Sequence, residues 1–171
     1  MGAFKEPHGG ELKDLYLPAD QAEAEKEAAG DYASWDLTER QLCDVELLLN
    51  GAFSPLEGFL NKEDYDSVIT SMRLKSGVLW PIPITLDVSE DFAKDLKAGD
   101  RVALRDLEGV ILATLEIGDI WTPDLDAEAQ GVYGTTDDKH PAVNYLRNIG
   151  NPVYIGGTLK GIEQPTHYDF K

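Results

Sequence analysis

The residue types that carry most enzyme chemistry are sparse and scattered in this chain. Its histidines, His8, His140 and His167, lie far apart in sequence and form none of the H-x-x-H or H-E-x-x-H spacings typical of metal sites. His140 precedes Pro141 at a predicted helix start, where helix capping or surface exposure explains it better than catalysis. We therefore predict no metal site and no acid–base site built on histidine.

Cys43 and Ser54 are the candidates for a catalytic nucleophile, because they carry a thiol and a hydroxyl. Cys43 stands beside the apolar stripe of a predicted helix and has no histidine near it in sequence, so we expect a small buried thiol. Ser54 lacks the G-x-S-x-G context and precedes Pro55, so we expect its hydroxyl to make hydrogen bonds within a turn. We assign neither residue any chemistry.

Glycines and carboxylates offer two further kinds of binding site. The pair Gly156-Gly157 follows a strand but belongs to no phosphate-binding glycine motif, so both are expected to be structural. Two acidic clusters could bind a hard cation, namely Asp124/Asp126/Glu128 and Asp137/Asp138. Because neither matches the EF-hand pattern, a solvated acidic face is expected. The residues alone thus predict no catalytic, cofactor-binding or metal-binding residue.

Five helices are predicted among the elements that would position these side chains. A solvated surface helix covers 19–29, and a core helix begins at Thr38, where Gln41 three residues later completes a capping box. Further helices are predicted from Asn61 to about Ser71, over 124–130 before a polar loop, and from Pro141.

The predicted strands form a β-centred core. Apolar alternation favours a strand over 82–88, and strands over 101–106 and 110–117 form a hairpin that residues 118–123 close. The last strand covers 153–162, and its glycines indicate a bulge or a close backbone approach. Residues 1–18 are predicted to be an extended arm on the body. Residues 51–60 are predicted to be a compact loop that Phe53 and Phe59 help to bury.

The charge balance excludes several classes of partner. Fifteen Lys and Arg against 32 Asp and Glu give a net charge of −17, which repels nucleic-acid phosphates and anionic lipids. No stretch approaches the roughly 20 apolar residues of a membrane helix, and the first ten residues lack the apolar region of a signal peptide. A single cysteine cannot form an internal disulfide, which fits a reducing compartment. We expect a cytoplasmic protein that binds neither nucleic acid nor membrane.

Six segments resemble ATP sulfurylase (sulfate adenylyltransferase) sequences, in the family's order and in a form similar to the fungal enzymes. The most specific is 51–59, Gly-Ala-Phe-Ser-Pro-Leu-Glu-Gly-Phe, which is similar to the motif G-x-F-S-P-L-x-G-F. The others are similar to P-H-G-G-x-L at 7–12, T-x-R-Q-x-C-D at 38–44, P-I-T-L within 80–86, E-H-P-A-x-x-Y-L at 139–146 and Y-I-G-G at 154–157. The resemblance covers nearly the whole chain.

This resemblance implies an α+β fold, a PUA-like, β-barrel-like N-terminal domain with peripheral helices. It implies one domain over 1–171, with the catalytic domain absent from this chain. In the family, the full-length enzyme makes adenosine 5′-phosphosulfate and pyrophosphate from ATP and sulfate during sulfate assimilation. Its catalytic signatures, Q-x-R-N, H-x-x-H and G-R-D, do not occur here, and Leu146-Arg147-Asn148 lacks the required glutamine. No catalytic residue is carried over.

The resemblance also implies partners for a longer parent protein. These are MgATP for the full-length enzyme, with no cofactor in this fragment, the catalytic domain of the same chain, and further copies in a homo-oligomer. An alternative is a free-standing PUA-like module that binds RNA or a modified nucleotide, which the net charge disfavours. A pure interaction scaffold is the third hypothesis.

Overall fold

The computed structural model describes residues 5–167 and has the helices and strands of an α+β fold. The described part contains six helices: α1 (Ala19–Ala29), α2 (Glu39–Leu49), α3 (Lys62–Ser71), α4 (Glu90–Ala93), α5 (Leu125–Tyr133) and α6 (Pro141–Asn148). It contains five strands: β1 (Ala33–Asp36), β2 (Leu86–Val88), β3 (Arg101–Arg105), β4 (Ile111–Trp121) and β5 (Val153–Gly161). No helix between residues 5 and 167 combines the length and the apolar character needed to cross a membrane.

The five strands hydrogen bond in the order β1-β3-β4-β5-β2. β1 runs parallel to β3, whereas β3 is antiparallel to β4 and β2 is antiparallel to β5. The β3–β4 hairpin has the predicted turn, in which Asp106 Oδ1 accepts hydrogen bonds from the backbone N–H groups of Glu108 and Val110. Gly109 supplies the positive φ of 87° that the turn requires.

The chain forms two compact units, each with its own buried residues. Within the described residues, the first unit comprises 5–58, Gly99–Glu116 and 157–167. Helix α2 begins with the predicted capping box, since Thr38 accepts from Gln41 N–H and the Gln41 side chain accepts from Thr38 N–H. The apolar side chains buried in this unit come mainly from α2, β3 and β4: Val45, Leu48, Leu49, Val102, Leu104, Leu112 and Leu115.

The predicted N-terminal arm lies on the first unit over residues 5–18, while residues 1–4 fall outside the described residues. Leu15 N–H donates to Leu49 O, and Leu15 O accepts from Gly161 N–H, both within 2.9 Å. Lys13 anchors the arm twice, through its backbone N–H to Ser54 Oγ and through its ammonium group to Glu57 at 2.8 Å. These bonds tie the arm to the 51–58 loop and to the end of β5.

The second unit comprises Phe59–Ala98 and Ile117–Gly156. Its buried apolar side chains include residues of α3, β2, α5, α6 and β5 and of the segment before α3: Phe59, Leu60, Tyr65, Val68, Leu86, Val88, Ala129, Val143, Tyr154 and Ile155. The chain passes very close to itself at Gly156, where a Cβ atom would overlap the carbonyl oxygen of Leu60. This confirms the close backbone approach that the glycines of the last strand predict.

Several boundaries differ from those the sequence predicts. The predicted strand over 82–88 is a strand only over Leu86–Val88, because Pro81 and Pro83 have no N–H to donate to a ladder. β4 continues to Trp121 instead of ending at residue 117, and Gly118 within it leaves room for the side chain of Asn61. β1 and α4 were not predicted, and α5 extends past residue 130 to Tyr133.

Candidate functional site

The nucleophile candidates serve structure or lie at the surface. Ser54 Oγ donates to Gly51 O at 2.6 Å and accepts from Lys13 N–H, which confirms its predicted role in a turn. The prediction of a buried Cys43 thiol is wrong, because the side chain is exposed. The buried positions of α2 include Gln41 and Val45, and a residue two places from Gln41 points to the opposite side of the helix.

The neighbours of His140 and His167 explain the positions of these two histidines. His140 occupies the N-cap position of α6 but makes no capping hydrogen bond with its side chain. Instead, its imidazole packs against the Tyr133 ring, with ring centroids 5.1 Å apart. His167 Nε2 lies 2.9 Å from Glu46 Oε1. Among residues 5–167, no group of three or more His, Cys, Asp or Glu side chains is arranged to hold a metal ion.

The acidic clusters divide into residues with separate roles, so the expected solvated acidic face is wrong for Glu128. Asp124 caps α5 by accepting from the backbone N–H groups of Asp126 and Ala127. Asp126 and Asp138 both pair with Arg147, at 2.5 Å and 2.7 Å. Glu128, in contrast, is only 3% exposed. A buried carboxylate needs hydrogen-bond donors, and Glu128 finds them in side chains far away in sequence.

Glu128 accepts hydrogen bonds from two buried tyrosines of the second unit. The Tyr65 hydroxyl donates to Glu128 Oε2 at 2.8 Å, and the Tyr154 hydroxyl donates to the same oxygen at 3.1 Å. Burial, and then the negative charge of Glu128, raise the pKa of the Tyr65 phenol well above its ordinary value of 10.0. Tyr65 therefore keeps its proton, and remains a donor, throughout the physiological pH range.

Trp121 completes this arrangement, which we name the acid–aromatic cluster: Tyr65, Trp121, Glu128 and Tyr154. The ring centroids lie 5.4 Å apart for Tyr65–Trp121 and 5.8 Å apart for both Tyr65–Tyr154 and Trp121–Tyr154. These are contact distances for aromatic rings, and each such pair contributes about 0.5–1.5 kcal/mol beyond area burial. The buried Trp121 Nε1 has no acceptor within the described residues. The cluster is a packed core element and not an open pocket.

The acid–aromatic cluster was not predicted from the sequence. Its hydrogen bonds span 63 residues from Tyr65 to Glu128 and 26 residues from Glu128 to Tyr154. No local motif marks such pairs. The one local feature that indicates burial of Glu128 is its position next to Ala129, on the buried side of α5.

A second buried carboxylate, Asp87 on β2, serves a comparable structural purpose. It is 3% exposed, and Oδ2 accepts from the backbone N–H of Asn151 at 2.8 Å and from its side-chain amide at 3.1 Å. These bonds fix the loop between α6 and β5. The donors found at Glu128 and Asp87 are tyrosine hydroxyls and the backbone and side chain of an asparagine, and such hydrogen bonds stabilise buried carboxylates.

A shallow groove along α3 is a concave candidate, and polar side chains line it: Glu63, Asp66, Ser67, Thr70, Ser71 and Lys75. Two of its carboxylates form surface ion pairs, Asp66 with Lys62 at 2.6 Å and Glu63 with Lys75 at 3.1 Å. Sites for small molecules are mostly apolar, with a few convergent polar groups. This groove does not have that character.

Comparison with known proteins identifies the family. The family model described as PUA-like domain matches residues 5–164. The sulfate adenylyltransferase of Eremothecium gossypii is 48% identical over 165 residues, and the match covers 96% of this chain and 33% of the relative. That of Saccharomyces cerevisiae is 46% identical over 168 residues, with 96% and 32% covered. The chain thus spans about a third of the length of the curated relatives it matches.

A solved structure agrees with these sequence matches. It is described as a hexameric APS kinase from Thiobacillus denitrificans, and it superposes with a TM-score of 0.75 at 32% identity. The match covers 96% of this chain and 28% of that chain. The predicted α+β class and the resemblance to fungal ATP sulfurylases are therefore confirmed, and the chain belongs to the PUA-like domain family.

Proposed function

We propose that this chain is the N-terminal, non-catalytic domain of a sulfate adenylyltransferase. The full-length enzyme would join ATP and sulfate into adenosine 5′-phosphosulfate and release pyrophosphate. The observation that carries the proposal is the combination of 46–48% identity over 96% of this chain with coverage of only about a third of each relative. A shared segment of that length is a domain of the longer enzymes.

The chemistry of the described residues supports a role without catalysis. Transfer of an adenylyl group needs cationic or hydrogen-bonding groups that stabilise developing negative charge. The most buried carboxylates of the second unit, Glu128 and Asp87, are acceptors and not donors. Their hydrogen bonds come from tyrosine hydroxyls and from an asparagine. The chain also lacks the Q-x-R-N, H-x-x-H and G-R-D signatures. We infer that the groups that stabilise the developing charge, and the residues that bind MgATP, lie in the rest of the longer chain.

The proposal includes the setting of the longer enzyme. We propose that this domain contacts the catalytic domain of the same chain and that the enzyme is a homo-oligomer, which the hexameric description of the matched structure supports. A cytoplasmic location is supported by the single cysteine. The net charge of −17 argues against nucleic acid and against anionic membrane surfaces as partners.

An assay of sulfate-dependent pyrophosphate release from MgATP tests the proposal. The 171-residue chain and the longer protein that contains it are measured side by side at equal molar concentration. Release by the longer protein alone is the expected result. Release by the 171-residue chain would place the active site here, and release by neither would favour a free-standing binding or interaction module.

A further inference from the structure

Two long stretches of this acidic chain contain no carboxylate, residues 67–86 and residues 139–162, and the first also contains three exposed large apolar side chains. Residues 67–86 include neither Asp nor Glu, although the whole chain has 32 of them, and their only charged side chains are Arg73 and Lys75. The stretch is therefore locally positive in a protein whose net charge is −17. A surface group whose charge is opposite in sign to that of the rest of the protein can attract a complementary partner.

Within this stretch, residues 72–82 form a closed loop of the second unit, which we name the 72–82 loop. Met72 follows α3 in the left-handed conformation, with φ 56°, and its carbonyl oxygen accepts from Trp80 N–H at 2.8 Å. Inside the loop, Leu74 N–H donates to Val78 O at 2.9 Å. The loop is thus held in shape by its own backbone.

Large apolar side chains stand out from this loop. Met72, Leu79 and Ile82 are 47%, 51% and 50% exposed, whereas Leu74 and Trp80 point inward at 6% and 9%. Half of the exposed large apolar residues found among the described residues fall in these eleven positions. Such concentrations of exposed apolar side chains mark interaction sites.

Arg73 gives the loop a charged group with no carboxylate partner in the described part of the chain. Its guanidinium donates to Gly77 O at 2.9 Å within the same loop. Lys75, in contrast, pairs with Glu63 at 3.1 Å. A guanidinium has five donors in a planar fork that matches a carboxylate, so Arg73 keeps donors for an acidic group on a partner.

The charges and the size of the loop select one kind of partner. A two-fold contact centred on this loop would bring the Arg73 guanidinium groups of both copies close together, which like-charge repulsion opposes. Three half-exposed side chains also fall well short of the roughly 800 Å² per partner that separate proteins bury in a stable complex. A covalently attached domain needs less area, because its effective concentration is high.

We propose that the 72–82 loop docks on the remaining part of the longer chain, on an apolar surface that carries a carboxylate opposite Arg73. This inference rests on the proposed function, which places the present chain within such a protein. To that function it adds the loop that makes the contact and the chemical character of the surface that the loop contacts.

Hydroxyl-radical footprinting of the longer protein with mass spectrometry tests the inference. Labelling of each side chain is normalised to that in the same protein unfolded in urea, and Leu107, which is 71% exposed here, is the internal reference. We expect Met72, Leu79 and Ile82 to be labelled several-fold more slowly than Leu107. The charge reversal Arg73→Glu should restore their labelling, while Lys94→Glu, an exposed cation of the same unit, should not.

Three results would overturn the inference. Labelling of the loop at the level of Leu107 would show that nothing covers it. Protection that disappears on dilution would assign the loop to a second copy. Equal effects of Arg73→Glu and Lys94→Glu would exclude a specific carboxylate opposite Arg73. Sulfate-dependent pyrophosphate release by the same preparation is measured separately, so an unprotected loop in an active enzyme refutes this inference and leaves the proposed function standing.

Discussion

At the scale of single residues, the three acidic side chains within residues 124–128 have three different structural roles. Asp124 caps α5, Asp126 pairs with Arg147, and Glu128 is buried under two tyrosine hydroxyls. Side chains four places apart share a helix face, but their surroundings differ, because Glu128 accepts from Tyr65 of α3 whereas Asp124 caps the start of α5. The sequence predicts carboxylates on a helix, and the tertiary structure decides which of them is buried.

The Tyr65 hydroxyl should contribute measurably to stability. In Tyr65→Phe, the buried Glu128 carboxylate loses its shorter hydrogen bond, and we expect the free energy of unfolding to fall by about 1–3 kcal/mol. Urea unfolding at neutral pH measures the change. Tyr32→Phe, which removes an exposed hydroxyl that accepts a 3.3 Å bond from Arg101, should change it by less than about 0.5 kcal/mol. Equal losses in both variants would contradict the role assigned to Glu128.

The raised pKa of Tyr65 predicts a loss of stability in alkali. The stabilisation is fully present below the unfolded-state pKa of 10.0. As the pH rises above that value, the unfolded chain loses the Tyr65 proton while the folded protein keeps it, so the free energy of unfolding decreases. Unfolding measured from about pH 9 to about pH 11 should show a steeper decrease in the wild type than in Tyr65→Phe. Parallel curves would show that Tyr65 is not the group responsible.

At the scale of helices and strands, the elements that carry local signals are the ones the sequence predicts well. Helix α1, the capping box of α2 and the proline at the start of α6 depend on neighbours in sequence. The parallel strand β1 was not predicted because its four residues pair with β3, about seventy residues away. The acid–aromatic cluster was missed for the same reason. Elements whose existence depends on distant partners have no local pattern to reveal them.

Gly131 shows how packing can reverse a helix propensity. It lies inside α5, where alanine normally stabilises by about 1 kcal/mol relative to glycine. Here a Cβ atom would overlap the backbone carbonyl oxygen of Ile69 at the contact of α5 with α3. We therefore expect Gly131→Ala to lower the melting temperature, whereas Gln130→Ala, one residue earlier and exposed, should leave it nearly unchanged. A stabilised Gly131→Ala would refute this close helix contact.

The capping box predicts the behaviour of α2. Thr38→Ala removes the acceptor of the Gln41 N–H, and we expect the free energy of unfolding to fall by about 1 kcal/mol, within a range of roughly 0.5–2. Thr38→Ser retains a hydroxyl oxygen and should restore most of the loss. Chemical denaturation monitored by circular dichroism compares the three proteins. If serine is no better than alanine, the cap does not hold the helix end.

At the scale of the whole molecule, the chain matches about a third of the length of its curated relatives, and we propose that it is a supporting domain. Its motifs match the family in order, and its relatives are about three times as long. The buried ionisable groups Glu128 and Asp87 fix helices and loops. The 72–82 loop gives the second unit a surface suited to a covalently linked neighbour. Fold and family could be read from the sequence, whereas this surface required the exposed fractions of individual side chains.

We propose that this part of the protein supports catalysis without taking part in it. The most direct test is to measure the melting temperature and kcat of the longer protein carrying Tyr65→Phe, with kcat determined well below the melting temperature. We predict a lower melting temperature and an unchanged kcat, because the cluster holds the second unit together and, in our proposal, lies outside the catalytic machinery. A reduced kcat at an unchanged melting temperature would contradict the account and place the acid–aromatic cluster in the catalytic machinery.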